Sequence, residues 1–262
     1  MVERIDFHTH IFPDHVAEKA LQTLQRTYNA QPEGLATVAG LIEAMDEAGV
    51  ERAVVCPVAT RAEQVVSINR WVTGLDRTRL IPFGAIHPDF GEQEKEVEFL
   101  RGEGVRGVKL QPHFQGYELE ADGTLRMIER LAGMVLVIHG GQEMSPIAKV
   151  PTTPEKLRRL HERFPEQRFV VAHLGGYQMW EGAEEYLVGQ DIYFDLSFTF
   201  DKLEDQAIAR IIAAHGPERV LFASDYPWQL PRVALAGLER LGLGEQERRM
   251  ILGGNARRLL NL

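Results

Sequence analysis

The chain has 262 residues, of which 44% are hydrophobic and 26% are charged, as is usual for a globular protein. Its 29 basic and 38 acidic residues leave a net charge of -9, which disfavours nucleic acid and anionic membranes as partners. The single cysteine, Cys56, excludes an intramolecular disulfide, and no apolar run reaches the length of a membrane span. Without repeats or linker-like stretches, residues 1–262 are expected to form a single domain of a soluble, cytoplasmic protein.

Short apolar runs rich in Val, Ile and Phe predict β-strands that are buried on both faces. The predicted strands span residues 5–8, 53–57, 80–87, 105–110, 135–139, 168–173, 192–196 and 220–224. Apolar residues at helical spacing lie between them, for example in residues 41–48 and 157–164. Before the last helical stretch, residues 256–260, Asn255 is predicted as the N-cap.

Eight strands that alternate with helices predict an α/β fold, a (β/α)8 TIM-type barrel, which typically takes about 250 residues. A doubly wound open sheet is the alternative, because alternation alone does not close a barrel. The first strand is followed by His8-Thr9-His10 and not by a glycine-rich phosphate turn, which argues against a dinucleotide-binding fold. The first crossover, residues 11–39, is long, and its helix-like part at residues 16–28 is predicted to cover the barrel mouth as a lid.

Histidines concentrate at the ends of the predicted strands. Those at or just past a strand end are His8, His10, His87, His113, His139 and His173. In a barrel, such ends form the rim where catalytic residues collect. Alternation along the first strand predicts that Asp6, His8 and His10 share the inward face. Ile5 and Phe7 are then expected to face the helices.

Several strand ends together predict a metal site. A lone His-x-His is a weak signal, and each of the other residues taken alone is more often a core or turn residue. However, His139 and His173 each end an apolar strand, and Asp225 directly follows the eighth. Four strand ends that all offer metal-type ligands are hard to explain as packing alone. A set of three histidines and one aspartate is typical of zinc.

The motifs around these residues resemble the amidohydrolase superfamily, specifically its amidohydrolase-related branch, which includes aminocarboxymuconate-semialdehyde decarboxylase and its relatives. The matching motifs are DFHTH (6–10), GVKLQP (107–112), IHGG (138–141), AHLGG (172–176), SDYP (224–227) and GNARRL (254–259). They follow the family's order along essentially the whole chain. The resemblance implies a barrel with a metal centre, but it does not name a substrate.

The resemblance also implies roles for individual residues. The implied metal ligands are His8, His10, His139 and Asp225. His173 would polarise the reacting group or bind a second ion. Lys109 stands where two-metal members carry a carboxylated lysine, whereas in the decarboxylase-like branch, which usually holds one ion, it would remain an ammonium. Its alternative role is that of a buried lysine paired with a carboxylate.

The implied metal ligands, together with His173, favour a metal-dependent hydrolase that acts on an amide, ester or lactone of a small molecule. A divalent ion, expected to be Zn2+, would activate a water molecule and polarise a carbonyl group. Asp225 is expected to act as general base, and His173 is expected to stabilise the developing oxyanion.

Two other functions stay open. The first is a metal-dependent, non-oxidative decarboxylase of a small unsaturated or aromatic acid, and the second is a metal-free barrel that binds a ligand. The compact chain and the lack of an arginine cluster favour hydrolysis over decarboxylation. Barrels of this branch often pair, so a homodimer is also open, although no residue identifies an interface.

Overall fold

The predicted apolar runs form parallel strands in the computed structural model, which describes residues 3–262. The strands are β1 (Ile5–Thr9), β2 (Arg52–Val55), β3 (Leu80–Pro82), β4 (Gly84–Ala85), β5 (Gly107–Leu110), β6 (Val135–Ile138), β7 (Arg168–Val171), β8 (Tyr193–Asp195) and β9 (Val220–Leu221). They pair in sequence order within β1–β3 and within β4–β9. The predicted third strand is divided into β3 and β4 at Phe83, so the nine segments correspond to eight barrel strands.

Hydrogen bonds between the last and the first strand close the barrel. The N–H of Phe7 donates to the C=O of Phe222 at 2.9 Å, and the N–H of Asp225 donates to the C=O of His8 at 2.9 Å. The chain therefore has the predicted (β/α)8 architecture and not the open, doubly wound sheet.

Helices surround the strands. In residues 3–262 the α-helices are α1 (Asp14–Tyr28), α2 (Val38–Ala48), α3 (Val65–Thr73), α4 (Gln93–Gly102), α5 (Pro112–Gln115), α6 (Asp122–Arg130), α7 (Pro154–Arg163), α8 (Trp180–Tyr186), α9 (Asp205–His215), α10 (Pro231–Arg240), α11 (Glu245–Arg249) and α12 (Asn255–Leu260). Short 3-10 turns, Ala62–Gln64 and Pro217–Arg219, precede α3 and β9. Across the described part of the chain, no helix combines the length and hydrophobicity needed to cross a membrane.

Asn255 does not cap a helix as predicted. A π-helical turn, Met250–Gly254, joins α11 to α12, so Asn255 lies inside a continuous helical segment. Its buried side-chain amide instead donates to the C=O groups of Pro217 and Val220, each at 2.7 Å. These bonds fix the C-terminal helix to the start of β9.

The strands bury one row of side chains inside the barrel and the other row against the helices. The inner layer consists of Ile5, Phe7, Val54, Cys56, Ile81, Phe83, Val135, Val137, Val170, Leu221 and Ala223, with Ala256, Leu259 and Leu260 from α12. The prediction that Ile5 and Phe7 face the helices is therefore wrong. The register of β1 against β2 shifts between Asp6 and Thr9, and this irregularity allows His8 to face the cavity although Phe7 points inward.

Candidate metal centre

Side chains from both ends of the sequence meet at the carboxyl-terminal end of the barrel. His8, His10 and Asp225 each offer a ligand atom, and these three atoms lie within 4.8 Å of one another. The two Nε2 atoms are 3.1 Å apart, and Asp225 Oδ1 lies 3.5 Å from that of His8 and 3.4 Å from that of His10. Ligand atoms about 2.0–2.2 Å from a tetrahedral ion lie roughly 3.4 Å from one another, so this spacing fits one divalent cation.

Outer hydrogen bonds direct both imidazoles toward this point. His8 Nδ1 donates to Oδ2 of Asp195 at 2.9 Å, and His10 Nδ1 donates to the C=O of Cys56 at 2.7 Å. In the neutral tautomers that these bonds select, Nε2 of each ring keeps its lone pair. Two lone pairs only 3.1 Å apart repel each other unless a proton or a cation lies between them, so the donor set fits a metal ion.

Burial and neighbouring charges keep His8 and Asp225 in the ionisation states that metal binding requires. Burial lowers the pKa of His8 to about 4, and the nearby Lys109 ammonium acts in the same direction. Burial opposes the charge of Asp225, but His8, His10 and His173 outweigh it and lower the pKa of Asp225 to about 2. At neutral pH the imidazole of His8 is therefore neutral and the carboxylate of Asp225 is ionised, as metal ligands are.

The other two predicted histidines lie beside this cluster in the same cavity. The ring of His173 stacks on that of His8 with 5.5 Å between centroids, and its Nε2 is 3.0 Å from Nδ1 of His139. Nε2 of His139 donates to the C=O of Gln142 at 2.9 Å. Nδ1 of His139 therefore carries the lone pair, and this nitrogen faces His173. His139 is thus next to His173 and is not one of the three residues whose ligand atoms meet within 4.8 Å.

Two predicted site residues have left-handed backbone conformations. The φ angles of His173 and Asp225 are 61° and 70°, which non-glycine residues adopt at a cost of about 1–3 kcal/mol. Asp225 is held in place through the preceding residue, because the carboxylate of Asp6 accepts both the N–H of Ser224 at 3.0 Å and its hydroxyl at 2.5 Å. Strained residues cluster at functional sites, where the surrounding structure over-determines them.

Lys109 projects from β5 into the barrel and is fully buried. Its Nζ lies 3.0 Å from Nε2 of His8, and in the described part of the chain it forms no ion pair with a carboxylate. Burial lowers the pKa of this ammonium group. The alternative of a buried lysine paired with a carboxylate is therefore not what the structure has at this position.

Asp195 is a further residue of the candidate site, and the sequence predictions did not include it. It ends β8, accepts from Nδ1 of His8, and accepts the N–H of His173 at 3.1 Å. Burial opposes its charge, but His8 and His173 outweigh burial and hold its pKa below the usual range. A carboxylate at the end of a buried strand is the same signal that identified Asp225, so this residue was within reach of the sequence.

Glu143 was also missed, and no sequence signal points to it. It lies in the loop after β6 and is buried, with Oε1 3.6 Å from Nε2 of His139 and 3.4 Å from Nε2 of Gln111. Its second oxygen, Oε2, has no hydrogen-bond partner among the described residues. Burial raises the pKa of this carboxyl group to about 7.

The cluster forms the base of a cavity of about 840 Å3, which suits a small-molecule ligand. Around the polar base the wall is aromatic, with Phe114, Tyr177, Phe198 and Trp228 among its residues. The predicted lid helix is α1, which begins at Asp14, and several of its residues line the cavity.

Comparison with known proteins assigns the chain to a family. The family model Amidohydro_2, described as amidohydrolase, matches residues 5–262. The chain belongs to the amidohydrolase family. It is accordingly a metal-dependent enzyme, a hydrolase or a carboxy-lyase, with the TIM-barrel fold of that family. No curated protein matches the chain.

Solved structures with the same fold include several decarboxylases. The protein resembles 5-carboxyvanillate decarboxylase LigW from Sphingomonas paucimobilis, with 17% identity, a TM-score of 0.73 and coverage of 100% of both chains. It also resembles 2,6-dihydroxybenzoate decarboxylase complexed with 2,6-dihydroxybenzoate, with 15% identity, a TM-score of 0.75 and coverage of 100% of both chains. A third is the dihydroxybenzoic acid decarboxylase from Polaromonas sp. JS666 with bound manganese and 2-nitroresorcinol, with 16% identity, a TM-score of 0.74 and coverage of 100% of this chain and 98% of that one.

Proposed function

We propose that the protein is a metal-dependent, non-oxidative decarboxylase of an aromatic or unsaturated acid. The observation that carries this proposal is the position of Lys109, a buried amino group at the base of a cavity with aromatic walls that forms no ion pair with a carboxylate among residues 3–262. A substrate that fits both features has a carboxylate or phenolate oxygen for the ammonium group and a flat apolar body for the walls. The decarboxylase names of similar structures support the same class.

Two arguments from the sequence favour hydrolysis, the compact chain and the lack of an arginine cluster. Against the first, the similarity to LigW and to 2,6-dihydroxybenzoate decarboxylase extends over 100% of both chains, so the compact barrel retains the full extent of the decarboxylase fold. An arginine cluster is not required, because Lys109 places a buried amino group at the base of the cavity, where a bound acid anion would favour its protonated form.

In this proposal His8, His10 and Asp225 hold one divalent ion, and His139 serves as a fourth ligand. Zinc is expected from the donor set, whereas manganese is the metal bound in the Polaromonas decarboxylase structure. When bound, the ion supplies a Lewis acid that stabilises negative charge on substrate oxygens.

The residues of the chain then perform the remaining tasks. The bond between the ring carbon and its carboxyl carbon breaks, carbon dioxide leaves, and the electron pair stays on the ring carbon, which must take up a proton. Glu143 lines the cavity with one buried oxygen that has no hydrogen-bond partner, so it is the proposed proton donor. Lys109 orients the acid, and the aromatic walls exclude water from the carbanion-like carbon.

Product analysis tests this proposal directly. The protein, supplied with Mn2+ or Zn2+, is incubated with 2,6-dihydroxybenzoate and 5-carboxyvanillate, and in parallel with aryl esters, amides and lactones of similar size. We expect release of carbon dioxide together with an equal amount of the decarboxylated ring. Release of alcohol or amine without carbon dioxide would show that the enzyme is a hydrolase.

The variant Lys109→Met tests the observation on which the proposal rests. It keeps the volume of the buried side chain but removes the charge, so carbon dioxide release should fall by about 100-fold or more while metal content stays at the wild-type value. Unchanged turnover in a variant with normal metal content would exclude the proposed role of Lys109.

A further inference from the structure

The cavity continues well past the candidate metal ligands into a space between α1 and α3. We call this space the outer chamber. Its apolar wall residues are Val16, Ala20 and Leu24 from α1, Val58 from the loop after β2, and Ile68 and Trp71 from α3. Polar side chains of the same two helices, such as Thr23 and Ser67, also line the cavity. The chamber therefore offers a largely apolar wall, in contrast to the polar base of the cavity.

Helix α1 directs its apolar row into this chamber and not into the core. Val16, Ala20 and Leu24 are spaced four residues apart, so they lie on one face of the helix. Of the 15 residues of α1 only Ala17 is fully buried, whereas the 11-residue α2 buries four. A surface helix normally packs its apolar row on the core, so this face of α1 is suited to contact with a ligand.

The position of α1 over the cavity is fixed at its C-terminal end. The ring of Tyr28 contacts those of Phe114 and Trp228, each with 5.0 Å between centroids. In addition, the hydroxyl of Ser145 donates to the C=O of Tyr28 at 2.8 Å. These contacts hold the helix across the mouth, so the chamber has a defined width.

Charges along the cavity favour an anionic ligand that enters through the chamber. Lys19 and Arg61 line the cavity and, in the described part of the chain, form no ion pair with a carboxylate. The carboxylates of the lining, Glu143 and Asp225, lie at the polar base. In a protein with a net charge of -9, this basic rim attracts acids.

We infer that the outer chamber binds an apolar alkyl substituent of the substrate, which is then an amphipathic aromatic acid with its head at the metal centre. The cavity of about 840 Å3 lies in the upper part of the range of about 300–1,000 Å3 that holds drug-sized ligands. A single-ring acid fills the polar base and leaves the wall of the chamber uncovered. The identity of the head rests on the proposed function, whereas the binding of the alkyl chain does not.

Binding of a non-reacting homologous series tests this inference. The probes are 5-alkylresorcinols with chains of one to seven carbons, which have no carboxyl group to lose, and their Kd for the Mn2+-supplemented protein is measured by calorimetry. Each methylene that enters the chamber should lower Kd by about fourfold until the chamber is full. A Kd that does not change with chain length would overturn the inference.

Matched variants of α1 locate the effect. Ala20→Trp fills the chamber, so Kd should become nearly independent of chain length. Gln22→Trp introduces the same side chain at an exposed position of the same helix, outside the cavity lining, and should keep the wild-type dependence. If Ala20→Trp does not fold, Ile68→Asn places a polar group in the opposite wall and should weaken the dependence. If Kd depended on chain length to the same extent in all variants, the alkyl chain would not bind in the outer chamber.

The binding series and the product analysis separate the two proposals. If Kd depends on chain length but no acid releases carbon dioxide, the proposed function is wrong and the inference that the chamber binds an alkyl chain stands. If carbon dioxide is released but Kd does not depend on chain length, only the inference about the chamber is wrong.

Discussion

Histidines with well-defined hydrogen-bond partners occur in two settings among the described residues, at the candidate metal centre and in the packing outside the cavity. Outside, His215 accepts the N–H of Gly189 at 3.2 Å through Nδ1 and donates from Nε2 to the C=O of Ile192 at 3.0 Å. His87 has the same arrangement, with backbone groups at both ring nitrogens. These two histidines therefore have no nitrogen left for a ligand.

The four histidines at the candidate metal centre, His8, His10, His139 and His173, differ in this respect. Each donates one ring N–H outward, to a carboxylate or a backbone C=O, and keeps the other nitrogen for the cavity. The remaining nitrogens form two close pairs, 3.1 Å apart in His8 and His10 and 3.0 Å apart in His139 and His173. The partner of the second nitrogen, and not burial, therefore separates a candidate ligand from a structural histidine.

The largest expected effect comes from removing one cavity histidine. His10→Ala should lose both metal and activity, with a decrease larger than the 10- to 100-fold that is typical when a residue behind a ligand is changed. Metal content by elemental analysis and turnover of the best acid are the measurements. His215→Asn is the control and should keep both. Equal metal content in the two variants would show that the partner of the second ring nitrogen does not distinguish metal ligands from structural histidines.

A smaller effect is expected from the residue that orients His8. Asp195→Asn weakens the acceptor for Nδ1 of that imidazole, so metal affinity should fall by about 10- to 100-fold. The matched control is Asp89→Asn, which changes an exposed carboxylate 3.9 Å from Nδ1 of His87 and should leave metal affinity unchanged. Competition with a chelator measures both affinities. The same affinity in Asp195→Asn as in the wild type would remove Asp195 from the site.

The smallest effect concerns the structural histidine His215. Burial lowers the pKa of His215 to about 4 in the folded protein, whereas an unfolded histidine titrates near 6.5. The unfolded chain therefore binds the proton first as pH falls, so this contribution to stability is complete above pH 6.5 and is lost between about pH 6.5 and 4. Between pH 7.5 and 5.5, the loss due to His215 should be about 1 kcal/mol.

Urea unfolding of the wild type and His215→Asn at these two pH values measures this loss. The difference in stability between the two pH values should be smaller in His215→Asn by that amount, because asparagine does not titrate. The same pH dependence in both proteins would mean that His215 is not held in its neutral form.

The sequence predicts the barrel well because the period of its apolar residues is a local property. Strand ends can be recognised in the same way. This is why the sequence identifies Asp225, and the same signal could have identified Asp195. Side-chain direction near the strand ends is less predictable. The register shift between Asp6 and Thr9 interrupts the alternation of side chains, so Phe7 and His8 both point inward. This shift depends on pairing with β2, which strict alternation along a single strand does not predict.

Positions set by tertiary contacts stay outside the reach of the sequence. Glu143 lies in a loop without periodicity, and its burial results from packing against the barrel mouth. Asn255 is of a residue type that is favoured at N-caps, but the continuous helix places it in contact with the start of β9. The contact between His139 and His173 likewise depends on how the segments that follow β6 and β7 lie relative to each other.

The most direct test of the metal centre is anomalous diffraction from crystals of the protein grown with Mn2+. We expect an anomalous peak within bonding distance of Nε2 of His8, Nε2 of His10 and a carboxylate oxygen of Asp225. Manganese bound only at other residues, or no peak at this position in crystals grown with saturating Mn2+, would contradict this expectation.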